Sequence, residues 1–469
     1  MSAYTDILND FPGFEDLTGE HSDWVPLAKR DHLPLYHIAG ICFPIFSYQV
    51  ATSLEFSLFT PLMSQVFNIP KTIITVIWAL LQICPFVTYP LVNYYSDRKI
   101  SKFGRRKIFI LFGQIGIMIN FILLYVSEYF GLSHAFYAPI IFLVSFIGLH
   151  ISISLVQGPS HCLLNEIIPP HQKSQAKAVG TVFYYTGAIC TYLFGGMEIG
   201  YYLEGTFTND EVLIIICILF VLISLIISMI SIKEEEISEI INNNEKPFEA
   251  ILFALKNTPK PISRISLIYL LSWFSYFPIV VLTTNFLSTI IYDKNDSASY
   301  EDGKSFGMIV LAFSQMISLV YSFFHPKITR KFGLKIIYML SMVLLSFLLI
   351  PLSFIKHRYA ILVLIGMTGI SSVVFRSVPF SIVKIVVPNE QVSTYNHVLL
   401  AFATSGQQAS MVLVCSGLGM LINSYGVLIS LGCVGASLSA LFSNWMIVPN
   451  PTHFDQDSGN KNSIDDHSL

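Results

Sequence analysis

Twelve apolar runs, each long enough to cross a lipid bilayer as a helix, are the feature that most constrains how this chain folds. The runs cover residues 36–62, 72–95, 108–127, 137–163, 178–199, 212–232, 265–291, 305–325, 334–354, 359–383, 396–422 and 424–447. Only 12% of the residues are charged, which is about half the share in an average soluble protein. This excludes a soluble enzyme, a nucleic-acid-binding protein and a secreted disulfide scaffold. The sequence predicts an all-α integral membrane protein.

The longest polar connection lies between the sixth and seventh runs and divides the chain into two halves of six helices. The predicted parts are an N-terminal segment 1–35, a first half 36–232, a linker 233–264, a second half 265–448 and a tail 449–469. A repeat supports this division, because Phe103-Gly104 and Phe332-Gly333 each lie in a basic loop after the second helix of their half. The two halves are therefore predicted to be pseudo-symmetric.

The basic residues are distributed unequally between the two sides of the predicted membrane. If the N-terminus is cytoplasmic, the inner segments hold 21 lysines and arginines, and the outer loops hold five, among them Lys304. The positive-inside rule then predicts that both termini are cytoplasmic. The sequence is compatible with the plasma membrane and with a vacuolar or endosomal membrane. We expect a monomer in the bilayer, and the net charge of −3 predicts no nucleic-acid partner.

A few ionisable side chains lie deep within the apolar runs. They are Glu55 in helix 1, His150 and His161 in helix 4, and Arg376 in helix 10. A charge near the membrane centre costs at least ~3 kcal/mol, so such residues usually face a cavity or a partner. In helix 4 the two histidines form a series with Ser154 and Gln157 at spacings of 4, 3 and 4. These spacings place the four residues on one face of the helix.

The polar groups within the runs are those that a sugar needs. Gln157, Asn285, Arg376 and the two histidines supply amide, guanidinium and imidazole groups that bind hydroxyls. Aromatic rings that could cover the apolar face of a sugar are Phe56, Phe59 and Trp273. No set of residues has the spacing of a metal site, and no nucleophile is paired with a base. The sequence predicts a transporter without a cofactor and not an enzyme.

Several motifs resemble one family. The stretch Tyr94-Tyr95-Ser96-Asp97-Arg98 through Phe103-Gly104-Arg105-Arg106-Lys107 is similar to the loop 2–3 motif of the major facilitator superfamily in its sucrose-transporter branch. That branch comprises glycoside–cation symporters, including plant sucrose carriers and their animal relatives. Further matches are Leu58-Phe59-Thr60-Pro61, Gln157-Gly158-Pro159 and Ser377-Val378-Pro379-Phe380. The resemblance implies the major facilitator fold, with helices 1, 4, 7 and 10 around a central cavity. It also implies a conformational latch formed by Asp97, Arg98, Gly104, Arg105 and Arg106.

The resemblance and the intramembrane residues together predict proton-coupled symport of a sugar by alternating access. The sugar would be sucrose or a related glycoside or hexose. Glu55 is the candidate proton site, because burial favours the neutral form of a carboxyl group. His150 or His161 is the candidate relay, since imidazole titrates near physiological pH. Two roles remain open for Arg376, which either contacts the substrate or neutralises Glu55.

Departures from the plant members leave alternatives open. Those members carry Asp where this chain has His150, Arg where it has His161, and an Asp-x-Asp pair where it has Thr283 and Asn285. Loss of these groups favours a passive sugar facilitator as the first alternative. A transport-inactive membrane sensor or scaffold is the second. The residues do not distinguish between individual sugars or between directions of flux.

Overall fold

The structure is a computed structural model that describes residues 26–81, 83–98, 104–132, 136–202, 207–234, 256–290, 297–388, 391–420, 422 and 424–448. All regular secondary structure in these ranges is helical. The first six long helices are α1 (Leu35–Pro61), α2 (Lys71–Leu81 and Ile83–Arg98), α3 (Lys107–Leu132), α4 (Ala138–Glu166), α5 (Lys173–Gly196) and α6 (Asn209–Ser231). The second six are α7 (Lys260–Ile290), α8 (Ser297–Phe332), α9 (Leu334–Leu349), α10 (Arg358–Val386), α11 (Val392–Ala409) and α12 (Tyr425–Ser430 and Gly432–Phe442). The π-helical turns Leu62–Val66 and Ser410–Gly417 extend α1 and α11.

Ten of the described helices are long and apolar enough to cross a membrane. The other two, α1 and α5, are 27 and 24 residues long and coincide with predicted spans. They carry more small and polar residues because they pack against each other and against helices of the other half, so that less of their surface meets lipid. The predicted all-α membrane fold of two six-helix halves is confirmed. Most of the predicted linker 233–264 and of both terminal segments lies outside the described residues.

The start of α8 differs from the prediction. The helix begins at Ser297, eight residues before the apolar run at 305–325. Lys304 therefore lies within a helix and is 3% exposed, whereas the sequence places it in an outer loop. The prediction was wrong because the helix extends beyond the apolar run that marks its membrane-spanning part.

Polar side chains connect the helices within each half. In the first half, Nε2 of Gln114 on α3 donates to the hydroxyls of Ser47 on α1 and Ser224 on α6, each at 2.9 Å. In the second half, the Ser272 hydroxyl on α7 lies 2.6 Å from the hydroxyl of Tyr338 on α9 and 2.9 Å from that of Ser439 on α12. Such bonds supply part of the helix association that the hydrophobic effect does not supply inside a bilayer.

The two halves are in contact through several pairs of helices, and one set of contacts lies at an end of the bundle. We call the end that carries residues 104–107 and Gly333 the basic end, and the other end the opposite end. At the opposite end, Gly195 and Gly196 of α5 lie against Met308 and Ile309 of α8. Nearer the middle, Phe56 of α1 packs on Phe277 of α7 with ring centroids 5.7 Å apart. The halves are thus closed at the opposite end.

At the basic end, polar side chains are exposed where the halves face each other. His161 near the end of α4, Lys177 at the start of α5 and Lys384 near the end of α10 are all exposed. The charges of Lys177 and Lys384 interact across the two halves. Like charges repel, and this contact therefore favours separation at the basic end.

Candidate functional site

The predicted proton site is a buried carboxyl group beside an imidazole. Glu55 on α1 is 1% exposed, and its Oε1 lies 3.2 Å from Nε2 of His150 on α4. Neither atom forms a hydrogen bond of good geometry with any described residue. The His150 ring stacks on Phe146 at a centroid distance of 5.2 Å, which fixes the orientation of the imidazole. Glu55 and His150 can therefore exchange a proton after a small side-chain rotation.

The polar face of α4 is directed at α1 and α2, as the spacing of its residues predicts. Three side chains of these helices contact it: Thr88 donates to Ser154 at 2.8 Å, the Tyr89 hydroxyl donates to Gln157, and the Tyr48 hydroxyl lies 3.0 Å from Nε2 of His161. The Ser154 hydroxyl in turn donates to the His150 carbonyl at 2.8 Å. The four predicted residues of α4 thus lie in one continuous polar tract within the first half.

The exposure of this tract changes along α4. His150 is 7% exposed, Gln157 is half-buried and His161 is exposed. Of these residues, His161 lies nearest to the basic end. The exposure of the tract therefore increases from the Glu55–His150 pair toward the basic end.

Arg376 on α10 lies among aromatic rings. Its guanidinium donates to the Tyr184 hydroxyl of α5, a residue of the other half. It also lies 5.0 Å from the centroid of Trp273 and 5.5 Å from that of Tyr276, both on α7. Such distances allow cation–π attraction. Its Nε is buried without a hydrogen-bond partner among the described residues, so this donor is available to a substrate.

Two tyrosines connect the α4 tract with Arg376. The rings of Tyr48 and Tyr184 lie edge to face with centroids 6.3 Å apart. Tyr48 contacts His161, and Tyr184 accepts the bond from Arg376. We call the path His161–Tyr48–Tyr184–Arg376 the tyrosine bridge. It crosses from the first half to the second.

Of the two roles that the sequence leaves open for Arg376, neutralisation of Glu55 has no support in the geometry. The carboxyl group of Glu55 pairs with His150, and Arg376 forms no ion pair with any residue of the described ranges. Arg376 instead contacts Tyr184 and Trp273. Arg376 therefore lies at a contact between the two halves.

Asn285 has no hydrogen bond with the other predicted site residues within the described ranges. It is 1% exposed, and its Oδ1 accepts a hydrogen bond from the Tyr300 hydroxyl of α8 at 3.0 Å. Both residues belong to the second half, near the opposite end. Over the described ranges, no three His, Cys, Asp or Glu residues are grouped closely enough to hold a metal ion.

The predicted aromatic rings differ in their positions. Phe59 is fully buried and packs on Phe142 and Phe146 at centroid distances of 5.1 and 4.6 Å, so it belongs to the α1–α4 packing. Phe56 is half-buried at the contact between the halves. Trp273 is half-buried beside Arg376. Trp273 is therefore the ring that a solute between the halves can contact.

The predicted latch ties helix ends within the first half. Arg106 donates to Glu166 at the end of α4 through Nε at 2.7 Å and through Nη2 at 2.5 Å, and Arg105 lies 2.8 Å from the same carboxylate. The Arg106 amide donates to Glu234 after α6 at 2.9 Å. Gly104 has a φ of +92°, and a Cβ there would lie 2.3 Å from the Glu234 carboxylate. Asp97 and Arg98 lie in α2, but their side chains are outside the described part of the chain.

The pKa values of the two carboxyl groups of the latch lie on opposite sides of the ordinary value of 4.5. Burial raises the pKa of Glu166, but the hydrogen bonds and charges of Arg106 and Arg105 outweigh it, so that the pKa lies below the ordinary 4.5. Burial raises the pKa of Glu234 above 4.5 despite the opposing bonds from the Arg106 and Lys107 amides. Glu166 is therefore the firmly ionised member of the latch.

Sequence reasoning missed the tyrosines of the site and the partners of the latch. Tyr48 precedes Thr52 by four residues and Glu55 by seven, so all three lie on one face of α1. This periodicity could have indicated that Tyr48 belongs to the site. Tyr184 lies on α5, outside the four helices that the resemblance places around the cavity. The pairing of Glu166 and Glu234 with Arg106 has no local signal in the sequence, because these residues meet only through the fold.

Comparisons with known proteins agree with this architecture. The profile of the Major Facilitator Superfamily matches residues 41–409. The chain belongs to the major facilitator superfamily. Sucrose transport protein SUC4 of Arabidopsis thaliana is 25% identical over 406 residues, which are 77% of this chain and 79% of that protein. Sucrose transport protein SUT3 of Oryza sativa subsp. japonica is 23% identical over 355 residues, which are 66% and 68% of the two chains. The resemblance to the sucrose-transporter branch is confirmed.

Solved structures of transporters share the fold at low sequence identity. A D-xylose–proton symporter has a TM-score of 0.63 and 14% identity, with 88% of this chain and 97% of that chain covered. A proton-dependent oligopeptide transporter has a TM-score of 0.67 and 10% identity, with 88% and 98% covered. At these identities the likeness concerns the fold alone.

Proposed function

We propose that this protein is a proton-coupled sugar symporter that works by alternating access. The observation that carries the proposal is the buried Glu55–His150 pair, which lies at the buried end of a polar tract whose exposure increases toward the basic end. The relatives named sucrose transport proteins support a sugar as the substrate. The xylose–proton symporter with the same fold supports proton coupling.

The chemistry of the residues between the halves suits a polyhydroxylated solute. Sugar hydroxyls donate and accept hydrogen bonds, and Gln157, His161 and Arg376 offer donors and acceptors along the tract. Trp273 beside Arg376 provides an apolar surface for the C–H face of a sugar ring. A solute bound here would touch both halves, and its binding would therefore respond to their relative position.

The proton step is assigned to Glu55. Its carboxyl group is neutral in the closed, dry site and ionises when water reaches it. His150, 3.2 Å away, accepts the proton and passes it toward His161 and the basic end. We propose that the basic end faces the cytoplasm, with both termini on that side, because basic loops remain inside. The membrane is the plasma membrane or that of a vacuole or endosome, and we propose a monomer.

The test uses purified protein in liposomes with an imposed inward proton gradient. Uptake of labelled sucrose, maltose, glucose and polyols is measured in wild type, in Glu55→Gln and in Asp302→Asn, an exposed carboxylate on α8 that serves as the control. We expect wild type and the control to accumulate one of these sugars. Glu55→Gln should lose accumulation but retain exchange of sugar across the membrane, because its amide imitates the protonated carboxyl.

Accumulation by Glu55→Gln against the sugar gradient would remove Glu55 as the proton site. Transport of none of the sugars by the wild type would overturn the substrate class. A passive facilitator is the second candidate, since α7 carries the neutral, buried Thr283, Thr284 and Asn285. An uncoupler separates the two, because it abolishes accumulation by a symporter, whereas a facilitator only equilibrates the sugar.

A further inference from the structure

A cluster of buried charges joins the two halves at the opposite end. Nζ of Lys304 on α8 lies 2.7 and 2.8 Å from the carboxylate oxygens of Asp210 at the start of α6. It also lies 2.6 Å from Oε2 of Glu301. Lys304 is 3% exposed and Asp210 is 8% exposed. Because α6 belongs to the first half and α8 to the second, this contact exists only while the halves are together at this end.

Glu128, near the end of α3, lies beside this ion pair and is 2% exposed. Its Oε1 accepts a hydrogen bond from the Thr208 hydroxyl at 3.0 Å. Its Oε2 is buried and has no hydrogen-bond partner among the described residues. The Lys304 ammonium has three hydrogens, and three oxygens of Asp210 and Glu301 already occupy them. A charged Glu128 would thus be buried with no hydrogen bond from Lys304, whose charge it would share with Asp210 and Glu301, and this is unfavourable.

The surroundings of Glu128 add negative charge. The titratable groups of the cluster are Tyr125 and Tyr129 on α3, Asp210 and Glu211 on α6, and Tyr300, Glu301 and Lys304 on α8. Glu211 caps its own helix by accepting from the Thr208 amide at 2.9 Å. The turn Leu62–Val66 and residues 138–146 of α4, which also pack near α3, contain no acid or base. Four carboxyl groups therefore share one ammonium.

We propose that Glu128 is a proton-binding site that controls closure of the opposite end, separately from Glu55. With a proton on Glu128, the cluster can be buried and the halves can close. When the halves separate, water reaches Glu128, which then ionises and repels the Asp210 carboxylate. Since the opposite end faces outward in the proposed orientation, external acid favours its closure.

The test follows the distance between the halves without any sugar, so it does not depend on the proposed substrate. Spin labels are attached to a keto-bearing unnatural amino acid at Tyr201 and Phe354, which are 80% and 81% exposed at the opposite end of different halves. This labelling leaves the seven native cysteines unchanged. Electron–electron distances are measured in lipid nanodiscs from acid to alkaline pH. The variants are Glu128→Gln and, as the matched control, Asp302→Asn on the exposed side of α8.

We expect the closed population of wild type and of Asp302→Asn to fall with rising pH, by up to ~tenfold per pH unit for one proton. Glu128→Gln should remain closed throughout, because its amide is neutral. A wild type without pH dependence, or a Glu128→Gln variant that keeps it, overturns the proposal. If Glu128→Gln does not fold, infrared difference spectra of the wild type provide the test. A closed state that contains no protonated buried carboxyl group at neutral pH would then overturn the proposal.

Discussion

The contact between α5 and α8 at the opposite end depends on the absence of a side chain at Gly196. A Cβ at this position would lie 2.5 Å from Cγ1 of Ile309 and 3.1 Å from the carbonyl oxygen of Ser305. The first atom belongs to a stiff β-branched side chain and the second to the backbone, so neither can move away alone. Gly196→Ala therefore requires α8 to shift away from α5.

The expected magnitude follows from the cost of overpacking, about 1–3 kcal/mol for an extra methyl group in a tight contact. Because the contact joins the two halves, this cost falls only on the state that is closed at the opposite end. The higher helix propensity of alanine acts on both states equally and cancels. The ratio of closed to open protein should therefore fall about 5- to 150-fold.

The assay is the distance between labels at Tyr201 and Phe354, measured at fixed pH. The control is Gly180→Ala on the same helix, where the nearest atom is the terminal methyl of Ile45 in the same half, at 3.1 Å. Gly196→Ala should lengthen the mean distance, and Gly180→Ala should leave it unchanged. A folded Gly196→Ala variant with the wild-type distance distribution would refute the reasoning, because the halves would then be held closed without this contact.

Two further predictions concern the site and the latch. Arg376→Lys should raise the KM for sugar ~tenfold with little change in the thermal unfolding temperature. The reason is that an ammonium cannot stack on Trp273 and bond Tyr184 in the geometry of a guanidinium. An unchanged KM would exclude contact between Arg376 and the substrate. Because the pKa of Glu166 is below 4.5 in the folded protein, its stabilisation is complete above the unfolded value and is lost as the pH falls through the folded value. The thermal stability of wild type should thus exceed that of Glu166→Gln near neutral pH and converge with it in acid, and an equal difference at every pH would contradict the assignment.

The helices could be predicted from the sequence because membrane crossing imposes a length and an apolar composition on each segment separately. The polar face of α4 could be predicted for a similar reason, since the spacing of His150, Ser154, Gln157 and His161 depends only on helix geometry. What could not be predicted was the partner of each group. Thr88 and Tyr48 meet α4 only after two other helices have packed against it.

The partners of the charged residues could not be predicted from the sequence either. Lys304 and Asp210 are 94 residues apart in sequence, and each lies just outside or at the margin of an apolar run. Residues in such positions resemble exposed loop residues. The capping box that Thr208 forms with Glu211 could be recognised locally. The hydrogen bond from the same threonine to Glu128 could not be recognised from the sequence.

The two proposed proton sites differ in their relation to the tyrosine bridge. Glu55 and Glu128 both belong to the first half, whereas the cations that lie between the halves near the two clusters, Arg376 and Lys304, belong to the second. The tyrosine bridge connects His161 on α4, the helix that carries the partner of Glu55, with Arg376 across the two halves. Separation of α5 from α10 breaks the Tyr184–Arg376 bond and exposes a guanidinium that a sugar can then satisfy. In the proposed mechanism we therefore expect sugar binding and the Tyr184–Arg376 contact to compete for the guanidinium of Arg376.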